Sequence, residues 1–372
     1  MIKGETMRKN CDFILLATII ILVLYGLVMV FSASYPDGLE NMDGDPYHFI
    51  SKQLKFAVLG LVGMIVVMNI STDFFKRISI PVFLLTILLQ LTLFTSLGRS
   101  FGTGATRWIK ISGIVIMPAE FLKMGTIMGL SRFMSVSKND ISKIQKPLFV
   151  GIMFFFALPC VLILKTDFSN SVVLMVVLAI MFFVAGLNYI FVPLAGFLLS
   201  VGIYVIATSE DFRLKRMVSF TDPFKYANDG GWQLIQSLYA FAYGGVAGAG
   251  LGKSIQKYYY LPEVYNDFIF AVIGEELGLI GCLVTLFFYL IILWRGTKIA
   301  LGCKDKYSAY LATGIVAFIT VQSLIHMSVS LGLLPTTGLP LPFISYGGSS
   351  LLIFLGAMGL LLGISKNSEY KG

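Results

Sequence analysis

Apolar runs of the length that crosses about 30 Å of hydrocarbon as an α-helix recur along the whole 372-residue chain. Short polar or basic segments separate them. They predict ten transmembrane helices, near residues 13–33, 54–70, 78–97, 117–135, 148–164, 170–187, 189–207, 267–294, 307–330 and 347–365. The predicted fold class is an all-α polytopic membrane protein, one domain over 1–372, with a large outer loop at about 208–266 between helices 7 and 8.

The distribution of basic residues predicts the orientation of these helices. Ten spans place both termini on one side of the membrane. Basic residues cluster on that side, at Lys3, Arg8, Lys9, Lys76, Arg77, Lys138, Lys143, Lys146, Arg295, Lys298, Lys304, Lys306, Lys366 and Lys371. The positive-inside rule makes that side cytoplasmic, so the long loop is extracellular.

Composition agrees with the membrane class and excludes others. The chain is 57% hydrophobic and 13% charged, whereas soluble proteins carry about 25% charged residues. Basic cytoplasmic loops explain most of the net charge of +8, so we expect no nucleic-acid partner. The four cysteines lie far apart, without the spacing of a metal site or of a disulfide framework.

The stretch from Tyr260 to Leu279 places four carboxylates where a polar loop becomes a membrane helix. Carboxylates at such a position are costly, which favours a functional site. On a helix, Asp267 would share a face with Gly274 and Gly278, a GxxxG pair that admits another backbone at close range. The alternative is that Asp267 only caps the helix N-terminus. Spacing alone does not choose between the two.

Basic residues on the predicted outer face run against the topological bias. Arg107 and Lys110 stand among glycines, and Arg213, Lys215 and Arg216 form a second group. An anionic ligand such as a phosphate group would explain them. The second group could equally be an interfacial helix on anionic headgroups.

Other charges lie at the ends of spans. Glu120 and Lys123 are three residues apart, so they share a helix face and could form a neutralising ion pair or act directly. Asp167 lies in the turn KTDFSNS, where aspartate is common. Residues 247–254 read AGAGLGKS and are similar to a phosphate-binding loop. An outer location without a preceding strand argues against that role and favours glycines used for tight turns or close packing.

Several of these stretches together resemble the SEDS family (shape, elongation, division and sporulation), whose members include FtsW and RodA. The resemblance covers nearly the whole chain. Its markers are LPFISYGGSS at 341–350, YLPEVYNDFIFAVIGEELG at 260–278, ATRWIKI at 105–111, MPAEFLKMG at 117–125 and FRLKRMVSFTDP at 212–223.

The resemblance implies a peptidoglycan glycosyltransferase that polymerises lipid II on the outer face of the bacterial membrane, beside a class B penicillin-binding protein. It implies that Asp267 is the catalytic carboxylate, which could act as a general base. Substrate or pyrophosphate contacts would come from Arg107, Lys123, Lys52, Glu120 and Asp167. The substrates would be lipid II and the lipid-linked glycan chain. A divalent cation, Mg²⁺ or Mn²⁺, could share the pyrophosphate charge, although no ligand cluster in the sequence requires one.

The chain also departs from the family pattern. Tyr265-Asn266 replaces the usual His-Thr, Lys165-Thr166 replaces Gln-Pro, and His326 replaces an asparagine. The segments at 44–53 and 258–263 are more similar to the division or sporulation branch, which implies a division or sporulation complex at a septum. Two other functions stay open: a lipid II flippase, and a non-catalytic scaffold for the penicillin-binding protein.

Overall fold

The computed structural model describes residues 11–100, 106–111, 114–136, 151–186, 218–227 and 230–368. Its helices are α1 Phe13–Asn41, α2 His48–Asn69, α3 Thr72–Leu91, α4 Pro118–Val136, α5 Leu158–Thr166, α6 Phe168–Val184, α7 Trp232–Gly244, α8 Ile269–Leu301, α9 Lys306–Ser330 and α10 Gly348–Ser365. A π-helical turn, Met153–Ala157, precedes α5, and a 3₁₀ turn, Thr92–Phe94, follows α3. The predicted helix at 189–207 and the group Arg213, Lys215 and Arg216 lie outside the described residues.

Within the described ranges, six helices are long and apolar enough to cross a membrane: α1, α2, α3 with its 3₁₀ turn, α8, α9 and α10. The residues 153–166 and α6 form shorter apolar helices. Their positions follow the predicted runs closely, because an uninterrupted apolar stretch has few ways other than a helix to satisfy its backbone in lipid. The chain is therefore a polytopic α-helical membrane protein.

Helix α9 lies near the centre of the bundle. It packs against α8 and α10, and also against α4 and α6. Side chains from α4, α6 and α9 therefore meet inside the protein. Elsewhere α2 packs along α10, and α3 along α4.

The two ends of the bundle carry different polar contacts. At one end, Arg295 pairs with Asp12 at 2.6 Å, and Lys76 pairs with Asp305 at 2.9 Å. All four residues belong to the side predicted to be cytoplasmic. The segments predicted to be outer meet at the other end, where the Gln53 amide donates to Ser345 O at 3.1 Å.

The sequence did not predict a small antiparallel sheet in the outer segment before α4. It is formed by β1 Gly98–Arg99, β2 Trp108–Ile111 and β3 Ile114–Ile116, in the order β1-β2-β3. Ile109 pairs with Gly98 on one side and with Ile116 on the other. Ile109 is buried and Lys110 is exposed, the alternation of a half-buried strand.

Several predicted boundaries need correction. Helix α2 begins at His48 and not near 54, α3 begins at Thr72 and not near 78, and α8 ends at Leu301 and not near 294. The first helix does not end near residue 33 but continues through Pro36 to Asn41. The outer loop at 208–266 is not all loop, since it contains α7. Helix α7 packs on α8 so closely that a Cβ on Gly244 would overlap the backbone of Gly274. The predicted close approach at the GxxxG pair is therefore confirmed. The backbone that approaches it is that of α7 and of the residues that follow α7.

Candidate active site

Asp267 lies in a turn just before α8, not on the helix as the periodicity predicted. The chain turns at Glu263, whose φ is 52°, and the Asp267 amide donates to Glu263 O at 2.9 Å. Helix α8 then begins at Ile269 with Phe268 at its N-cap, so Asp267 is not the capping residue either. Its side chain is half-buried, at the end of the bundle where the outer segments meet.

Arg107 faces Asp267 across Gly338. Arg107 Nη1 and Asp267 Oδ2 lie 2.6 Å and 3.3 Å from the point that a Cβ on Gly338 would occupy, which places the two atoms no more than about 6 Å apart. A side chain at position 338 would fill this space. Glycine at this position therefore lets the arginine and the carboxylate share one site.

Arg107 also contacts a second carboxylate. Its Nε lies 3.2 Å from Asp167 Oδ2. The Nε–H does not point along this contact, so it is an ion pair without a well-formed hydrogen bond. Arg107 is 8% exposed and Asp167 is 2% exposed. An ion pair so poorly exposed is weakly screened by solvent, and it holds the arginine between two carboxylates.

Asp167 is the N-cap of α6, which explains its position in the turn. Its Oδ1 accepts from the Asn170 backbone amide at 3.1 Å, and its Oδ2 accepts from Asn170 Nδ2 at 3.0 Å. Asn170 Oδ1 in turn accepts from Lys123 Nζ at 2.6 Å. The capping aspartate thus connects Arg107 to the buried lysine through one asparagine.

Lys123 is the last residue in this chain of contacts and lies between α4, α6 and α9. Its Nζ donates to Glu120 Oε1 at 3.0 Å, as the three-residue spacing predicted, and also to Gln322 Oε1 at 2.7 Å. Lys123 and Glu120 are both fully buried. The side chain of Lys123 therefore has three oxygen partners from α4, α6 and α9, a complete set for an ammonium group.

The uncharged segment after α9 lies over this network. Gln322 Nε2 donates to Pro340 O at 3.0 Å, and His326 Nδ1 lies 2.7 Å from Leu339 O. These contacts hold the backbone beside Gly338 against α9. His326 therefore bonds to this segment and not to a neighbouring helix.

Sequence reasoning missed Asn170, Gln322 and Gly338. The available signal for Gln322 was a polar residue within an apolar span, which is costly unless it is paired. Asn170 and Gly338 gave no such signal, because turns commonly contain both residue types.

The four carboxylates of the 260–279 stretch have separate environments. Glu263 is exposed, and Asp267 is half-buried. Glu275 and Glu276 are fully buried and bind the outer segment. Glu276 accepts from Lys257 Nζ at 3.0 Å, and Glu275 accepts from the Ile255 amide at 2.8 Å. The last two carboxylates therefore hold the structure around Asp267.

Lys52 and Lys110 are exposed and lie outside the buried network. Lys52 Nζ is 2.8 Å from His48 Nε2 at the start of α2. The neighbouring Gln53 bonds to Ser345, whose Oγ donates to Asn266 O at 2.7 Å, so Lys52 lies at the same end of the bundle as Asp267. In the part of the chain that the structure describes, no group of three or more His, Cys, Asp or Glu side chains could hold a metal ion.

An accessible carboxylate and a buried chain of ion pairs at one end of a helix bundle define an integral membrane protein with a charged site near the membrane surface. A family model described as "Cell cycle protein", that of FtsW, RodA and SpoVE, matches residues 12–370. The chain belongs to this family.

Two curated relatives illustrate the similarity. Stage V sporulation protein E of Bacillus subtilis is 36% identical over 98% of this chain and 100% of the relative. A probable peptidoglycan glycosyltransferase FtsW of Trichlorobacter lovleyi is 38% identical over 97% of this chain and 96% of the relative. The first relative is named for sporulation, and the second is named as a peptidoglycan glycosyltransferase.

Solved structures show the same fold. A chain from a study entitled "Structural coordination of polymerization and crosslinking by a peptidoglycan synthase complex" has a TM-score of 0.78 and 23% identity over 97% of this chain and 99% of that chain. The rod shape determining protein RodA of Thermus thermophilus has a TM-score of 0.71 and 22% identity over 97% and 98% of the two chains.

Proposed function

We propose that this protein is a peptidoglycan glycosyltransferase that polymerises lipid II at the outer face of the bacterial membrane, with Asp267 as the general base. The observation that carries the proposal is the half-buried Asp267 carboxylate, no more than about 6 Å from Arg107 Nη1. Two relatives of similar length support it, one of them named as a peptidoglycan glycosyltransferase. The site has the accessible base and the neighbouring cation that this reaction needs.

The reaction that joins two lipid-linked sugars forms one bond, breaks one bond and moves one proton. The acceptor hydroxyl attacks the anomeric carbon of the donor and loses its proton to the Asp267 carboxylate. A glycosidic bond forms, the bond to the pyrophosphate oxygen breaks, and the lipid pyrophosphate leaves with the electron pair. A single displacement inverts the anomeric carbon without a covalent enzyme intermediate, as in single-displacement glycosidases.

The cationic groups would act on the leaving group, the lipid pyrophosphate. Arg107 is held between Asp167 and the Asp267 carboxylate, and its guanidinium can stabilise charge that develops on the pyrophosphate. We assign Lys52 to the substrate headgroup, since it is exposed at the same end of the bundle. Lys123, Glu120 and Asp167 would support this site from within. A divalent cation on the substrate pyrophosphate stays a prediction.

Substitution of Asp267 tests the assignment. Asp267→Asn keeps the size of the side chain and its ability to accept hydrogen bonds, but it cannot take up a proton. We expect it to form no glycan chains from purified lipid II while the protein inserts and elutes as the parent does. The matched control is Glu263→Gln, four residues earlier and exposed, which should polymerise at the parent rate. Parent-level polymerisation by Asp267→Asn would refute the assignment.

The transport alternative is less well supported by the geometry. A headgroup path through the bundle would be lined by Glu120 and Lys123, yet both are fully buried, and Lys123 Nζ already has three protein oxygen partners. Movement of headgroups across vesicles by purified protein, without polymer, would favour a flippase. If neither activity occurred in the presence of the partner, a scaffold would be favoured.

We further propose that the protein works with a class B penicillin-binding protein in a division or sporulation complex. Support comes from the fold of a chain studied in a peptidoglycan synthase complex, at a TM-score of 0.78, from a relative named for sporulation, and from the family description "Cell cycle protein". A fluorescent fusion imaged in growing and sporulating cells should accumulate at a septum. Uniform lateral signal in both would contradict this role.

A further inference from the structure

The residues after the middle of α7 form an exposed apolar turn. Residues 242–252, here called the α7 tip, read AYGGVAGAGLG and contain no charged side chain. Tyr243, Val246 and Leu251 are 64%, 67% and 54% exposed. A loop that faces water is normally polar, so this composition is unusual for an extracellular loop.

The α7 tip is fixed to α8 by backbone hydrogen bonds. Leu279 N donates to Gly245 O at 2.9 Å, and Ile280 N donates to Val246 O at 3.3 Å. Gly278, with a φ of 66°, breaks the helical geometry at this level and frees these amides. The position of the tip along α8 is therefore defined by direct bonds.

The length of α8 gives the depth of the tip in the membrane. Trp294 is half exposed, and Lys298 Nζ lies 4.4 Å from its ring, an arrangement typical of a membrane interface. Ile280 is 14 residues before Trp294, which corresponds to about 21 Å of helix. Since the hydrocarbon layer is about 30 Å thick, Val246 lies inside it, in the leaflet at the Asp267 end.

The apolar surface of α8 continues into the α7 tip. Leu279, Ile280 and Leu283 are each more than half exposed on the spanning helix, next to Val246. One band of exposed apolar side chains therefore runs from α8 onto the tip.

Polar groups at this depth are bonded within the protein. Ala249 N and Gly250 N donate to Glu275 O and Glu276 O, each at 2.9 Å. The Glu276 carboxylate is fully buried between Ser32 Oγ at 2.7 Å and Lys257 Nζ at 3.0 Å. Such bonding is what backbone and charged groups require in hydrocarbon.

We propose that the α7 tip is a re-entrant segment inserted into the leaflet at the Asp267 end, with its exposed side chains in contact with lipid acyl chains. Helix α7 descends into the leaflet, the chain reverses at residues 245–248, and it returns along Glu275 and Glu276. Gly245 and Gly248 allow this reversal, because both have positive φ. The later glycines of AGAGLGKS, Gly250 and Gly252, also have positive φ and lie on the returning segment. The proposal does not depend on the enzymatic activity.

Quenching of tryptophan fluorescence by brominated phospholipid tests the insertion. The full chain is prepared with Trp108, Trp232 and Trp294 replaced by Phe, and a single tryptophan is introduced by Val246→Trp. Two matched controls give the upper and lower limits of quenching. Leu283→Trp on the exposed face of α8 gives the upper limit, and Asn41→Trp at the exposed end of α1 gives the lower limit. Each protein is reconstituted in vesicles with and without bromine on the acyl chains.

We expect quenching of Val246→Trp to reach at least half that of Leu283→Trp, with little quenching of Asn41→Trp. Tyr243→Trp exchanges one exposed aromatic residue for another. Its quenching is measured in place of Val246→Trp if Val246→Trp does not elute as the parent does. Quenching below half of the Leu283→Trp value would overturn the proposal. Water or a protein partner would then be the occupant of this surface.

Discussion

Replacement of the buried Lys123 tests whether the network stabilises the fold as well as the site. Lys123→Met removes the ammonium group and leaves the Glu120 carboxylate fully buried beside Asn170 Oδ1 and Gln322 Oε1. Removal of one member of a buried ion pair costs about 3–5 kcal/mol, because the remaining charge is uncompensated. We expect a loss of this size in the free energy of unfolding.

The double variant Glu120→Gln/Lys123→Met separates the stranded charge from lost packing. It removes both charges, so we expect it to recover at least half of the loss. Lys52→Met is the matched control, since Lys52 is exposed on α2 and should cost less than about 1 kcal/mol. Equilibrium unfolding in mixed micelles measures all four proteins. Equal stability of Lys123→Met and parent, or no recovery in the double variant, would show that the buried ion pair does not stabilise the fold.

Three further predictions concern Arg107 in the site, Tyr265 near it and Gly278 beside the α7 tip. Arg107→Ala should lower polymerisation by about 100-fold, as the loss of one electrostatic group at a reacting centre does. Its loss of stability should be smaller than that of Lys123→Met. Normal polymerisation with a larger loss of stability than Lys123→Met would contradict this role. Burial and the hydrogen bond from Tyr265 Oη to Asp37 Oδ2 at 2.8 Å raise the pKa of Tyr265 above its ordinary value, so its contribution to stability should persist below pH 10 and fall above it. Tyr265→Phe should reduce the alkaline loss of stability in a pH series of unfolding, and an unchanged series would contradict a raised pKa of Tyr265. Gly278→Ala should destabilise the protein by more than about 1 kcal/mol, because its φ is 66° and a Cβ would overlap Gly248 N; Gly356→Ala, where nothing lies within 4 Å, is the control and should cost nothing.

The sequence predicted the spans well and the ends of the spans less well. Apolar length determines where a chain can cross a lipid layer, so the described spanning helices lie close to the predicted runs. Helix α1 continues past its apolar run because Tyr259 and Tyr265 donate to Pro36 O and Asp37 Oδ2. The hydrophobicity of neighbouring residues does not predict such contacts between distant segments.

The site shows the same division between local and distant information. The Glu120–Lys123 pair follows from helix geometry, and the turn position of Asp167 follows from its neighbours in sequence. Asn170 and Gln322 join Lys123 only through the packing of α6 and α9 on α4, which spacing does not reveal. The strand β2 has a weak local signal, the alternation of the buried Ile109 with the exposed Lys110, but this alternation is too short to separate a strand from a loop.

The placement of Asp267 is the clearest example. Its distance in sequence from Gly274 and Gly278 suited a helix face, but the turn at Glu263 delays the helix until Ile269. Periodicity cannot locate the first residue of a helix, because it continues unchanged through a preceding turn.

We propose that Asp267 takes a proton in the reaction and is not needed to hold the substrate. Paired measurements of lipid II binding and of turnover on Asp267→Asn test it most directly. We expect an affinity within about threefold of the parent and no detectable polymer, since an amide can accept hydrogen bonds but cannot act as a base. Polymer formed at the parent rate, or turnover lost only through weaker binding, would contradict it.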